Sequence, residues 1–196
     1  MSTRKEQQSE ATRTDLIAAA RKLFADPGYA ETSIEDVVRA AGMTRGALYH
    51  HFRDKRDLFR AVFEDVEQSV MTGIGGVLAS AKDPWAALSR AASAYLDACL
   101  ERDVQQIVLV DGPSVLGWDT WREIEERYAI GAIVALLQAA VDAGQIPKQP
   151  LTPLAHLVLA AINESGLLIA RSPNIRVARK EVGESLDRML AGLRAK

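Results

Sequence analysis

Thr44, Arg45, Tyr49 and His50 bring a hydroxyl, a guanidinium, a phenol and an imidazole into seven residues of chain. All of them can donate hydrogen bonds, and that chemistry suits the phosphates and base edges of a nucleic acid. The spacing around them predicts two short helices. Ser33 precedes the apolar positions Ile34, Val37, Val38 and Ala41, and Asp36 stands three residues after it, so a capping-box arrangement starts the first helix. Gly42 ends that helix by supplying a left-handed turn, and Thr44 caps the second. Along the second helix Ala47, Leu48 and Phe52 face inward, which leaves Thr44, Arg45, Gly46, Tyr49 and His50 on the outer side. Such a helix-turn-helix packs with one face and is free to read DNA with the other.

The order Thr, apolar pair, Ala-Gly, Thr-Arg-Gly, Leu-Tyr-His-His-Phe, Lys and Leu across Thr32 to Leu58 resembles the DNA-binding domain of the TetR family of bacterial regulators. The resemblance spans about residues 12 to 60, and Ser33, Ala41, Gly42, Thr44, Gly46, Tyr49, His51, Phe52, Lys55 and Leu58 match the family pattern. Met43 departs from it, standing where the family more often has valine or isoleucine. The resemblance implies that Tyr49 and Lys55 hold phosphates. Arg45 follows the cap of the recognition helix, where its planar fork suits either a guanine edge or a phosphate. Ser33, Thr44, Arg45, Gly46, Tyr49, His50 and Lys55 are the expected DNA-binding residues.

Composition sets the frame for these side chains. The 196 residues are 48% hydrophobic and 6% aromatic, so a core must come mainly from Ala, Leu, Val and Ile, which favours helices. Net charge is −2, but its distribution is uneven: residues 1–60 hold 11 Lys and Arg against 9 Asp and Glu, whereas the remainder holds 13 against 17. A mildly basic head on an acidic body fits a protein that touches DNA with one end. Cys99 is the sole cysteine and lies among apolar neighbours, so packing rather than redox chemistry is its expected role. The first ten residues contain no apolar run, and the apolar stretch from Leu154 to Ala170 is interrupted by Asn163, Glu164 and Ser165. A cytoplasmic protein with no membrane partner is expected from these segments.

The fold class read from periodicity is all-α: a flexible tail over 1–10, a three-helix DNA-binding domain over 11–60, and a ligand-binding and dimerisation domain over 61–196. Helix 1 is expected from about Thr12, with Leu16, Ile17, Ala20, Leu23 and Phe24 inward and Asp26-Pro27-Gly28 as its stop. A long fourth helix runs from Leu58 to about Ala81, with a bend expected at Gly73, Gly75 and Gly76. Further helices cover about 85–96, 103–110, 119–143, 154–171 and 175–193.

Aromatic residues mixed with a few polar ones in the body suit either core filling or a mainly apolar ligand cavity. Val70, Ile74, Tyr95, Asp111, Trp121, Tyr128, His156 and Asn163 are the candidate ligand-binding residues. The near-continuous apolar surface of the helix at about 154–171 and a seam of Val182, Leu186, Met189 and Leu193 on the last helix predict a dimer interface, with Leu157 and Leu168 contributing. His50 and His51 diverge by roughly 100 degrees on a helix and cannot share a metal from one face. No metal site, cofactor or catalytic set is expected. The predicted function is a homodimeric repressor released from a palindromic operator by a small hydrophobic effector. A helical ligand-binding protein or enzyme with a vestigial DNA motif is the alternative, and an activator keeps the same DNA contacts.

Overall fold

The computed structural model describes residues 4–78 and 83–194, and the described residues form helices without a strand. The helices are α1 (Arg4–Ala25), α2 (Ile34–Ala40), α3 (Arg45–His51), α4 (Lys55–Leu78), α5 (Pro84–Ala98), α6 (Gly112–Leu116), α7 (Trp118–Asp142), α8 (Leu151–Ala170) and α9 (Ile175–Ala191), with a π-helical segment over Val104–Asp111. They divide into two compact units, and the division is not the one expected from sequence. The first unit comprises residues 1–66 together with 102–118, and the second 67–101 with 119–196. Residues 102–118 had been expected in the body.

In the first unit Leu16, Ala20 and Phe24 of α1, Val37 of α2, Leu48 of α3 and Leu58, Phe59 and Phe63 of α4 are fully buried together. Helix α1 begins at Arg4, so residues 4–10 of the expected flexible tail are helical. That stretch has no glycine or proline, and its Arg, Lys, Gln and Glu residues favour a helix. Residues 1–3 lie outside the described residues.

Polar groups bring the segment 102–118 to this unit. Arg21 of α1 donates to Asp103 from Nε at 2.8 Å and to Asp65 of α4 from Nη1 at 2.8 Å. Asp111 Oδ2 accepts the backbone N–H of Tyr29 at 2.9 Å, and Arg56 donates to the carbonyls of Val115 and Leu116 at 3.0 and 2.7 Å. Gly28 has φ 111, a conformation that side chains rarely adopt, and a Cβ there would sit 3.3 Å from the Gln106 amide, so glycine suits this loop.

Lys55 fills a place that sequence did not indicate. Its Nζ donates to the carbonyls of Tyr29 and Thr32 at 2.6 and 2.8 Å and lies 4.0 Å from the centre of the Tyr29 ring. Thr32 is buried, and its hydroxyl donates to the Gly28 carbonyl at 2.8 Å. The ammonium therefore closes the connection between α1 and α2 instead of standing free.

In the second unit α5 packs against α8 and α9, and α8 against α9. Asp83 caps α5 with Pro84 in its first turn, and Asn174 caps α9. Arg179 of α9 donates to Asp97 Oδ1 and Ser93 Oγ of α5 at 2.8 and 2.7 Å. Helix α4 runs without a break through Gly73, Gly75 and Gly76 to Leu78, and its expected last residues lie outside the described ones. Those glycines are exposed while Val70 and Ile74 are buried, so one anchored face holds the helix through its weak positions. At 20 residues α8 is long and apolar enough to cross a membrane, against the expectation that it falls short, yet 56% of its apolar window is buried within the protein.

Replacing Lys55 by methionine keeps the stem and removes the donor. Two charge-assisted hydrogen bonds to half-buried carbonyls should be lost, and chemical denaturation should show a loss of about 1.5 to 3 kcal/mol. Unchanged stability would mean that the ammonium is not what closes the loop.

Candidate nucleic-acid interface and ligand cavity

Local capping builds the first candidate face. The Ser33 hydroxyl accepts from Asp36 N at 3.1 Å while Asp36 Oδ2 accepts from Ser33 N at 3.1 Å, which completes the capping box of α2. Gly42 takes φ 64 and turns the chain, and Thr44 Oγ1 accepts from Ala47 N at 3.2 Å to start α3. Leu48 and Phe52 are buried, so the opposite side of α3 is fixed outward.

Thr44, Arg45, Gly46, Tyr49 and His50 are all exposed on that side. Arg45 Nη1 pairs with Glu35 of α2, Nη2 reaches the Tyr49 hydroxyl at 3.4 Å, and its guanidinium carbon lies 5.8 Å from the centre of the Tyr49 ring. Glu35 is a residue that sequence reasoning missed, because its partner is set by the angle between α2 and α3. A Cβ on Gly46 would meet only the Thr44 hydroxyl, at 3.9 Å, so the protein's own packing does not demand glycine there. His51 turns partly inward, and burial followed by the charges of His50 and Arg13 holds its imidazole below its usual pKa. Two expected contacts stand apart from this row: Ser33 is half-buried with its hydroxyl engaged in the cap, and Lys55 is bound to the Tyr29 and Thr32 carbonyls.

The second site is a cavity of about 150 Å³ within the second unit, bounded by α4, α5, α7 and α8. Of the candidate ligand-binding residues, Val70, Ile74, Tyr95 and Asn163 line it. The other four do not. Asp111 belongs to the first unit, where its carboxylate is bound to Tyr29 N. Trp121 is buried in packing, Tyr128 is half-buried away from the cavity, and His156 faces Glu126, with Nδ1 3.4 Å from its Oε1. Periodicity shows which residues face inward but not which inward residues meet a void.

Glu67 and Glu125 also line the cavity, and sequence reasoning passed over both. They are 6% and 3% exposed. Burial raises the Glu67 carboxyl to about 7. Burial also lifts Glu125 well above the ordinary range, and repulsion from Glu67 adds to it. Asn163 Nδ2 donates to Glu125 Oε2, while Glu125 Oε1 is buried without a hydrogen-bond partner. The Tyr95 hydroxyl is buried beside the Cys99 thiol and makes no hydrogen bond to oxygen or nitrogen. Burial pushes that thiol up to about 12, so it is not a reactive nucleophile. A signal for the two glutamates exists in sequence: each interrupts an apolar stripe, at Val66-Glu67-Val70 and Ile124-Glu125-Tyr128.

The expected dimer residues fall into two groups. Leu157 and Leu168 of α8 are 68% and 51% exposed, and Met189 of α9 is 50% exposed. Val182 and Leu193 are half-buried, and Leu186 is only 5% exposed, so it belongs to the core of its own chain. Helix α9 packs on α5 and α8, and Leu186 is the seam residue that the chain itself buries.

Comparison with known proteins agrees with this architecture. Residues 16–62 match the family model described as bacterial regulatory proteins, tetR family, and residues 85–193 match that of the tetracyclin repressor-like C-terminal domain. A TetR-family transcriptional regulator from Pectobacterium atrosepticum has a crystal structure that superimposes with a TM-score of 0.87 at 32% identity, covering 100% of this chain and 99% of the other. The transposon Tn10 TetC protein of Escherichia coli is 28% identical over 70% of this chain and 69% of its own. The HTH-type transcriptional repressor Rv1474c of Mycobacterium tuberculosis is 44% identical, but over 30% of this chain and 32% of its own. With one model on the helix-turn-helix, another on the helical body and a full-length structural match, the chain belongs to the TetR family of transcriptional regulators.

Proposed function

We propose that this regulator represses transcription by placing α3 of each subunit of a homodimer in the major groove of a palindromic operator, and that a small, mainly hydrophobic molecule in the cavity of the second unit releases it. The observation that carries the reading is the row Thr44, Arg45, Gly46, Tyr49 and His50, exposed on one side of a helix whose other side is buried. Two such helices read successive major grooves about 34 to 36 Å apart. Tyr49 serves as a phosphate contact, and the free side of Gly46 lets a backbone approach closely. Arg45 reads a base edge once it leaves Glu35, and a solvent-exposed ion pair of that kind holds it only weakly. Ser33 and Lys55 contribute by positioning the helix pair. The setting is the bacterial cytoplasm.

Release requires that the effector bind the released form more tightly, typically by about 1 to 3 kcal/mol. Leu157 and Leu168 stand eleven residues apart, three turns along one face of α8 that also carries the exposed Glu164, and they are the large apolar side chains a second copy would cover.

Fluorescence anisotropy on DNA from upstream of the chain's own gene tests the reading. Arg45→Ala should relax discrimination at one base pair of each half-site by about 1 to 3 kcal/mol. An equal loss on every single-base variant would make Arg45 a phosphate contact. Failure of the parent protein to prefer any segment of that DNA would count against the operator reading itself.

The double variant Leu157→Glu with Leu168→Glu alters exposed positions and should keep its helical circular dichroism while sedimenting as a monomer at micromolar concentration. A dimer unchanged by both charges would place the interface on another face.

A further inference from the structure

The cavity is polar at one end and apolar along the rest of its length. On α4 its lining runs from Glu67 through Val70 and Ile74 to Leu78, a span of about 16 Å of helix axis. Glu67, Tyr95 and Glu125 act on one another electrostatically, which gathers them at the Glu67 end. The titratable groups around that end are Glu67 from α4, Tyr95 and Cys99 from α5, Glu125, Arg122 and Glu126 from α7, and Arg179 from α9, which acts on Cys99. No cation pairs with either buried glutamate among the described residues. Arg122, which bears on Glu125, is bound to Glu126 at 3.1 Å.

Carboxyl groups facing an apolar void are costly unless a partner answers them. Asn163 answers one oxygen of Glu125 and leaves Oε1 buried and unpartnered, with the Tyr95 hydroxyl, which has only the Cys99 thiol beside it, at the same void. Glu125 Oε1 accepts once its carboxyl ionises, and the Tyr95 hydroxyl can accept as well as donate. A ligand acid or phenolate would be repelled. A neutral alcohol has one donor and would answer one of them, whereas an ammonium has three and carries the charge that lets the carboxyls ionise.

We infer that this end of the cavity is the head-group subsite for a small lipophilic amine, bound as its ammonium ion between Glu125 Oε1 and Glu67, with the hydrocarbon part lying toward Ile74 and Leu78. This rests on the proposed effector role of the cavity and names the chemical class of the effector. An engineered cavity of about 150 Å³ accommodates benzene, so one ring with a short arm is the fitting size. Protons balance in the binding step. A carboxylic acid of the empty site loses its O–H proton to the buffer, the ammonium keeps all of its own, and no covalent bond forms to the ligand.

The test is isothermal titration of the full-length protein at pH 7 with 2-phenylethylamine, against 2-phenylethanol and propylbenzene, in buffers of different ionisation enthalpy. The amine should bind at least about tenfold more tightly than the alcohol, and its binding should release a measurable fraction of a proton that the alcohol's does not. E125Q and E67Q should each weaken the amine at least about tenfold and change the alcohol less than about twofold, with thermal melting confirming that the variants fold. Absent amine binding at millimolar concentration, alcohol binding as tight as the amine's, absent proton release or unaltered variants would each overturn the inference. Operator release, measured separately, keeps the two readings apart. If the neutral compounds bind and release the operator while the amine does not, the effector role stands and the ammonium subsite fails. If the amine binds with proton release and leaves operator binding unchanged, the subsite stands and the effector role fails.

Discussion

The connection between α1 and α2 is held from both sides, and the presentation of the recognition helix depends on it. Lys55 binds two of its carbonyls, Asp111 accepts its Tyr29 N–H, and the buried hydroxyl of Thr32 bonds back to Gly28. Phe24, Tyr29 and Phe59 pack their rings within 5.6 Å of one another, centre to centre. These contacts fix where α2 begins. The capping box and the Gly42 turn then fix where α3 points. The groups that meet here come from α1, the start of α4 and the segment 102–118, so the geometry of the head is a tertiary property built on local signals.

The second unit trades stability for a site. A raised carboxyl pKa means that the folded state holds a proton that the unfolded chain gives up, so stability falls as pH rises from the ordinary value near 4.5 toward about 7 at Glu67. Leucine or glutamine at either glutamate would avoid that penalty. A penalty of this kind beside a cavity is what the proposed binding role accounts for.

Helices α8 and α9 show how burial sorts residues of the same type. Leu186 and Leu190 are covered by their own chain, whereas Leu157 and Leu168 are not. All four are leucines on helices, and the difference lies in which side of each helix the neighbouring helices occupy. Arg179 contributes to that choice by tying α9 to α5 through Asp97 and Ser93.

The sequence by itself determined the helical class, nearly every helix, both caps of the helix-turn-helix and the outward row on α3. Each of these rests on periodicity, capping and turn chemistry within a few residues of chain. Val70, Ile74, Tyr95 and Asn163 were legible as cavity residues because they sit on inward faces near polar breaks. Tertiary structure alone decided the rest. It returned residues 102–118 to the first unit through Arg21, Arg56 and Asp111, pairings that span up to 82 positions of sequence. It gave Lys55 a bracing role that local sequence does not show, because the carbonyls it binds lie 23 and 26 residues away. It also left Glu67 and Glu125 facing the same void. A stripe of apolar residues tells which side of a helix is covered, but where two covered sides fail to meet depends on the packing of four helices at once.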